Sequence, residues 1–133
     1  MKRKLQAGLA ITLTLLFGAA SLLAHHSAAA AYDIGKKITL KGTVTKLDWK
    51  NPHIFYYIDV ADASGKVTNW AVEGATPNQL YRNGWRKKDL NPGDTVTVSG
   101  SSPARNGTNK AYGGTLTLAD GRKLFSGNAA TDR

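Results

Sequence analysis

The sequence predicts a mainly β protein: a five- to six-stranded Greek-key barrel, OB-like, with one short helix between strands 3 and 4. Two observations lead to this fold. Apolar and polar residues alternate in successive short segments, the pattern of strands that bury one face. Signals for a short helix follow the third segment. The 133 residues suffice for one domain. We expect the barrel at residues 37–126, after an amino-terminal segment at 25–36 and before a flexible tail at 127–133.

The first predicted strand bends. Its buried face changes phase after Val44, and the apolar pattern continues on Leu47 and Trp49. A glycine followed by such a phase slip is typical of a bulged strand. Before the slip, one face carries Ile38, Leu40, Gly42 and Val44.

Two more strands, a helix and a second group of strands follow. The second strand has one apolar face, with Ile54, Tyr56, Ile58 and Val60. The third is predicted at residues 67–73. Thr76 can cap a helix that has Pro77 in its first turn, and Asn83-Gly84 ends it. The remaining strands are predicted at 95–99, at 111–118 and, after the hairpin signal Asp120-Gly121, at 123–125. An open sandwich, or a meander with the helix packed on one side, is the alternative.

The amino terminus has the three parts of a secretory signal peptide, which we place at residues 1–24. Residues 2–4 are basic, residues 9–17 are apolar and residues 18–24 are mostly small. The apolar run is shorter than the roughly 20 residues that span a bilayer. We therefore expect a soluble periplasmic or secreted protein with no transmembrane segment.

Two cleavage points compete. A cut after Ala24 makes His25 the first mature residue, and we favour this position. A cut after Ala30 fits the small-x-small rule better, but it leaves a long polar gap after the apolar run. After the first cut, 15 basic and 9 acidic residues remain, a net charge of +6, because the three basic residues near the start are lost.

Several motifs carry a resemblance to a known family. Ala-His-His-Ser occupies residues 24–27 at the export junction, and Asn-Pro-His occupies residues 51–53. Asn-Trp-Ala-Val-Glu-Gly follows at residues 69–74. The chain resembles a family of small exported bacterial proteins known only as a domain of unknown function. This resemblance covers nearly the whole mature chain. It implies an exported bacterial protein with a single β-rich domain, and it implies no activity.

The three histidines, His25, His26 and His53, are the candidate metal ligands. An amino-terminal His25 would offer its amine and its ring nitrogen as a chelating pair, and a further imidazole would complete a nitrogen set suited to copper. No cysteine is present and the one methionine is the initiator, which argues against a Cu(I) site and favours Cu(II). The alternative is that these histidines form no functional metal site. Any mobile adjacent histidine pair binds transition metals weakly, and His53 would then cap a loop.

Aromatic residues form a second candidate site. Trp49, Phe55 and Tyr57, with Tyr32 as a further candidate, could line the outer face that OB-folds use for ligands. The positive charge suits an anionic small ligand or polymer, and export argues against nucleic acid. A small barrel also needs bulky core residues, and we assign that role to Tyr56, Trp70 and Trp85.

Signals for an enzyme are weak. A thiol nucleophile is excluded, and the serines lack the context of a nucleophile elbow. Asp59 and Glu73 could share an outward sheet face, but a surface charge network is the expected role of such a pair. The sequence thus predicts a binding or accessory module. It binds Cu(II), or an anionic ligand on its aromatic face, or it is a structural envelope protein with a protein partner.

Overall fold

The computed structural model of the protein describes residues 28–125. Residues 28–31 are helical, and the unit that contains the barrel begins at Tyr32. Within the described residues, no helix combines the length and the hydropathy that a membrane crossing requires. Several sequence predictions lie outside this part of the chain: the signal peptide at 1–24, His25, His26 and the tail at 127–133.

Strands dominate the described part of the chain, as predicted. The elements are β1 (Ile38–Asp48), β2 (Phe55–Ala61), β3 (Val67–Glu73), α1 (Pro77–Arg82), a 3₁₀ turn (Lys87–Asp89), β4 (Thr95–Pro103), β5 (Lys110–Tyr112), β6 (Thr115–Leu118) and β7 (Lys123–Leu124).

Five of these strands close into a barrel. They pair in the order β1-β2-β3-β5-β4, and β4 pairs back onto β1. The β3–β5 pair is parallel and the other pairs are antiparallel. β6 and β7 extend the sheet from β4, and α1 lies between β3 and β4 in the chain. The predicted OB-like barrel is confirmed, and the open sandwich and meander are excluded.

β1 is bent and pairs with two strands, β4 and β2. Its first part pairs with β4 and its second part with β2, and the register to β2 shifts between Val44 and Lys46. This shift is the predicted bulge. Gly42 allows the close approach of β2, since a Cβ at this position would collide with the carbonyl oxygen of Asp59.

The barrel interior is apolar and follows the predicted faces. Tyr56 and Trp85 are buried, and Trp70 packs partly buried against the same cluster. Leu80 of α1 is also buried there, so the helix contributes one side chain to the core. Other buried members of this core include Leu40, Val44, Ile54, Ile58, Val72, Val96, Val98 and Leu116.

The helix begins as its sequence predicts. Thr76 is the N-cap and its Oγ accepts a hydrogen bond from the backbone N–H of Gln79 at 3.1 Å. Pro77 occupies the first turn, where its missing N–H costs nothing. Tyr81 is exposed, and the guanidinium of Arg86 lies 3.6 Å from the centre of its ring.

The prediction of one strand at 111–118 is wrong. Gly113 and Gly114 separate β5 from β6, with φ values of 66° and 97°. Residues with side chains rarely adopt such positive φ values in a strand, so strand geometry is interrupted at this glycine pair. Both β5 and β6 nevertheless pair with β4 in the same antiparallel register.

The fourth strand is longer than predicted, since it continues to Pro103. Its polar end looks like a loop in sequence, yet Ser101 and Ser102 are buried. Both hydroxyls have partners: Ser101 Oγ donates to the carbonyl oxygen of Gly113 at 2.7 Å, and Ser102 Oγ accepts from Lys37 at 2.8 Å. Hydrogen bonding lets a polar segment continue inside the sheet.

Candidate functional site

The candidate site is centred on His53, which precedes β2. Its Nδ1 lies 2.5 Å from Oε1 of Glu73, the last residue of β3. Sheet register brings the two together, because Phe55 of β2 pairs with Glu73. Two backbone hydrogen bonds extend this pairing beyond the strand ends, from Ile54 N to Ala75 O and from Gly74 N to Ile54 O. The His53–Glu73 contact is therefore supported by hydrogen-bonded backbone on both sides.

Glu73 is shared with a third side chain. The hydroxyl of Tyr32 donates to Oε2 of Glu73 at 2.8 Å, so each carboxylate oxygen has one partner. Tyr32 is only 7% exposed and stacks on Tyr112, with ring centres 5.4 Å apart. Solvent exposure rises from Tyr32 through Glu73 to His53, since the Glu73 side chain is 18% exposed and that of His53 is 36% exposed. Of these three hydrogen-bonded side chains, the imidazole is therefore the one that solvent reaches.

Backbone contacts hold Tyr32 in place. Tyr32 forms an isolated antiparallel bridge with Ala104, and the N–H of Asp33 donates to the carbonyl oxygen of Pro103 at 2.8 Å. Burial, followed by the hydrogen bond and charge of Glu73, raises the pKa of the Tyr32 hydroxyl well above its usual range. Tyr32 therefore remains a hydrogen-bond donor to Glu73 at neutral pH.

The contact with Glu73 determines what His53 can do chemically. In the tautomer that carries its proton on Nδ1, the ring donates to the carboxylate and leaves a lone pair on Nε2. No residue between 28 and 125 forms a hydrogen bond with this Nε2. A carboxylate behind an imidazole is the arrangement that orients histidine ligands of metal ions. Across the described residues there is no group of three or more His, Cys, Asp or Glu side chains that could hold a metal ion.

The predicted aromatic residues lie on different sides of the sheet. Trp49 packs against the core cluster and meets the ring of Phe125 edge to face, with centres 6.0 Å apart. Phe55 and Tyr57 are half-buried and alternate with the buried residues of β2, so they face outward. Lys46 covers Tyr57, with its Nζ 5.1 Å from the ring centre. Ligand binding by Trp49, Phe55 and Tyr57 remains a prediction. Tyr32 is buried and does not line an exposed aromatic face.

Asp59 and Glu73 share the outward face, but each has its own partners. The register places the Tyr57–Ala71 pair between their two positions. Asp59 accepts a hydrogen bond from the side chain of Asn69 at 2.7 Å, whereas Glu73 bonds to His53 and Tyr32. These carboxylates do not form the close pair that acid–base catalysis by two carboxyl groups requires.

Sequence reasoning missed the roles of Glu73 and Tyr32. The role of Glu73 could have been predicted from the pairing of β2 with β3. A hairpin register that pairs residue 55 with residue 73 brings Glu73 near His53. Tyr32 had no such signal, because it is 41 residues from Glu73 in the chain.

Comparison with known proteins gives one match. Residues 13–113 match the model of a family described as a family of unknown function, DUF6152. No curated protein and no solved structure matches the chain. The resemblance to a domain of unknown function is confirmed at this level. Since the match covers well over half of its length, the chain belongs to the DUF6152 family.

Proposed function

We propose that this protein is an exported Cu(II)-binding module rather than an enzyme. In this proposal Nε2 of His53 is one ligand, and His25 and His26 supply the others. One observation carries the proposal: Glu73 holds Nδ1 of His53 at 2.5 Å while the ring stays 36% exposed. The folded protein therefore holds the imidazole in one orientation before any metal binds.

The covalent chain supports the involvement of His25 and His26. Tyr32 bonds to the same carboxylate as His53, and only six positions separate Tyr32 from His26. Six residues span at most about 20 Å even when fully extended. The two histidines are therefore tethered to a residue of the site.

The donor set favours Cu(II) among divalent metals. Imidazole and amine nitrogens are the donors available, and the chain has no cysteine. If His25 is the mature amino terminus, its amine and ring nitrogen form a chelate, and His53 adds a third nitrogen. Nitrogen donors of this kind bind Cu(II) more tightly than other first-row divalent ions. Export would place the site in a compartment where copper is oxidised.

Calorimetric titration with Cu(II) tests the proposal on protein that carries its native mature amino terminus. We expect one copper ion per chain in the wild type and at least a tenfold weaker affinity in His53→Ala. Glu73→Gln should weaken binding about 10- to 100-fold, the usual effect of losing the carboxylate behind a ligand histidine. His25→Ala with His26→Ala should abolish tight binding.

Asp59→Asn is the matched control for Glu73→Gln. It neutralises a carboxylate on the same sheet face that bonds to Asn69 instead of His53. We expect wild-type copper affinity in this variant. If His53→Ala and Glu73→Gln both retain wild-type affinity, His53 is not a ligand and the proposal is wrong.

A further inference from the structure

A second surface has a distinct chemistry and a different set of lining residues. An open groove of about 500 Å³ runs between the end of β1 and the segment that links the 3₁₀ turn to β4. None of His53, Glu73 and Tyr32 lines it. Its apolar residues are Leu47, Leu90 and Pro92, and its charged residues are Lys46, Lys87 and Lys88.

The charge of the groove has one sign. None of the described residues that line it is acidic. Lys46 is already engaged, since its Nζ lies 2.9 Å from the carboxylate of Asp48. Lys87 and Lys88 are exposed, and within residues 28–125 neither has a carboxylate within ion-pair distance. Lys88 also borders a neighbouring pocket that contains Asp89, Asp94 and Asp120. The groove itself is lined by lysines and by no carboxylate among the described residues, and this favours an anion there.

The apolar part complements this charge. Leu47 is half-buried and Pro92 is exposed, so both offer carbon surface to the groove. The methylene stems of the lysines add to it, because long basic side chains cover apolar surface while their charges stay in water. An occupant that satisfies both features has a hydrocarbon chain and one anionic end. The volume falls within the range of small-molecule sites, about 300–1,000 Å³.

We propose that this groove binds a single long-chain carboxylate, with its chain along Leu47 and Pro92 and its head group at Lys87 and Lys88. A single amphiphile fits better than a bilayer surface. The large apolar side chains exposed within residues 28–125 are Ile34, Val67 and Tyr81. None of them lines the groove, so they do not surround it with an apolar rim that could insert into lipid.

Titration calorimetry with dodecanoate, below its aggregation concentration, tests this proposal on the full exported protein. We expect saturable binding of one dodecanoate per chain. Acetate, which has the head group without the chain, should not bind measurably. Dodecyltrimethylammonium, which has the chain with the opposite charge, should not bind either. Backbone amide NMR shifts on dodecanoate addition should centre on Leu47, Leu90 and Asn91.

Charge reversal distinguishes the groove from general electrostatics. The variant Lys87→Glu with Lys88→Glu should bind dodecanoate about tenfold or more weakly, because two attractions become repulsions. The control Lys66→Glu with Lys110→Glu makes the same change in net charge at exposed lysines outside the groove, and it should bind normally.

Three results would overturn the proposal. Equal loss in both double variants would indicate nonspecific attraction. NMR shifts confined to other surfaces would place the ligand elsewhere. Binding to anionic phosphatidylglycerol vesicles without binding to dodecanoate would show that the partner is a membrane.

Discussion

At the scale of single residues, Glu73 organises the candidate site. Its two oxygens bind two side chains from distant parts of the chain, Tyr32 and His53. The hydrogen bond from Tyr32 anchors the carboxylate from the buried side, and His53 meets it from the solvent side. Such a shared carboxylate stiffens both partners, because moving either one disturbs the other.

Tyr32→Phe tests how much the buried hydrogen bond between Tyr32 and Glu73 contributes to stability. The ring can still stack on Tyr112, but the hydrogen bond to a charged acceptor is lost. We expect the free energy of unfolding to fall by about 1.5 kcal/mol, the lower end for bonds to charged groups. Urea unfolding gives this value. Tyr112→Phe is the control, since among the described residues its hydroxyl bonds to no side chain, and it should cost less than about 0.5 kcal/mol.

Gly42→Ala tests the close approach of β1 and β2. The added Cβ would collide with the backbone oxygen of Asp59, which sits in a strand and cannot rotate away. We expect a loss of about 3 kcal/mol in the free energy of unfolding. Gly35→Ala is the control, because its nearest atom beyond adjacent residues would be 3.7 Å away. A wild-type midpoint for Gly42→Ala in thermal unfolding would show that the strands can separate at no cost.

At the scale of elements, local pattern predicted most of the structure. Alternation predicted the buried faces of the first two strands, and Gly42 with the phase slip indicated the bulge that the register shift confirms. The division at Gly113-Gly114 was missed, since two glycines in an apolar segment are also compatible with a continuous strand. Strand β4 was predicted too short, since Ser101 and Ser102 look like loop residues until their hydrogen bonds are known.

Thr76→Ala tests the predicted start of α1. The variant removes the oxygen that accepts from the N–H of Gln79. The helix has only six residues, and we expect the domain to lose about 1 kcal/mol, the typical value for an N-cap. Thr76→Ser keeps the oxygen and should lie within a few tenths of a kcal/mol of the wild type. Equal stability of all three proteins in urea would contradict the capping role.

At the scale of the whole molecule, barrel closure creates contacts that no local pattern contains. The pairing of β3 with β5 sets Tyr112 beside Glu73, and Tyr32, which forms a bridge with Ala104, bonds to the same Glu73. These pairings join residues far apart in sequence, so the environment of His53 could be predicted only in part. The histidine itself was identified from sequence, whereas its two partners required the closed sheet.

Alkaline pH should destabilise the barrel through its buried tyrosines. Burial raises the pKa of Tyr32 and of Tyr56 above the usual value near 10. The unfolded chain therefore loses these protons first, and stability that is complete below about pH 10 falls as the pH rises further. In a tyrosinate absorbance titration, two of the five tyrosines should ionise only on unfolding. Five ionisations near pH 10 in folded protein would contradict this.

The central claim, that Nε2 of His53 receives a metal ion while Glu73 holds the other ring nitrogen, is tested most directly by paramagnetic NMR. Substoichiometric Cu(II) would be added to protein with its native mature amino terminus, and the histidine ring carbons would be observed. We expect the His53 ring signals to broaden together with those of His25 and His26, while core signals such as those of Leu116 persist. Broadening of His25 and His26 with sharp His53 signals would contradict the claim and leave an isolated metal site at the amino terminus.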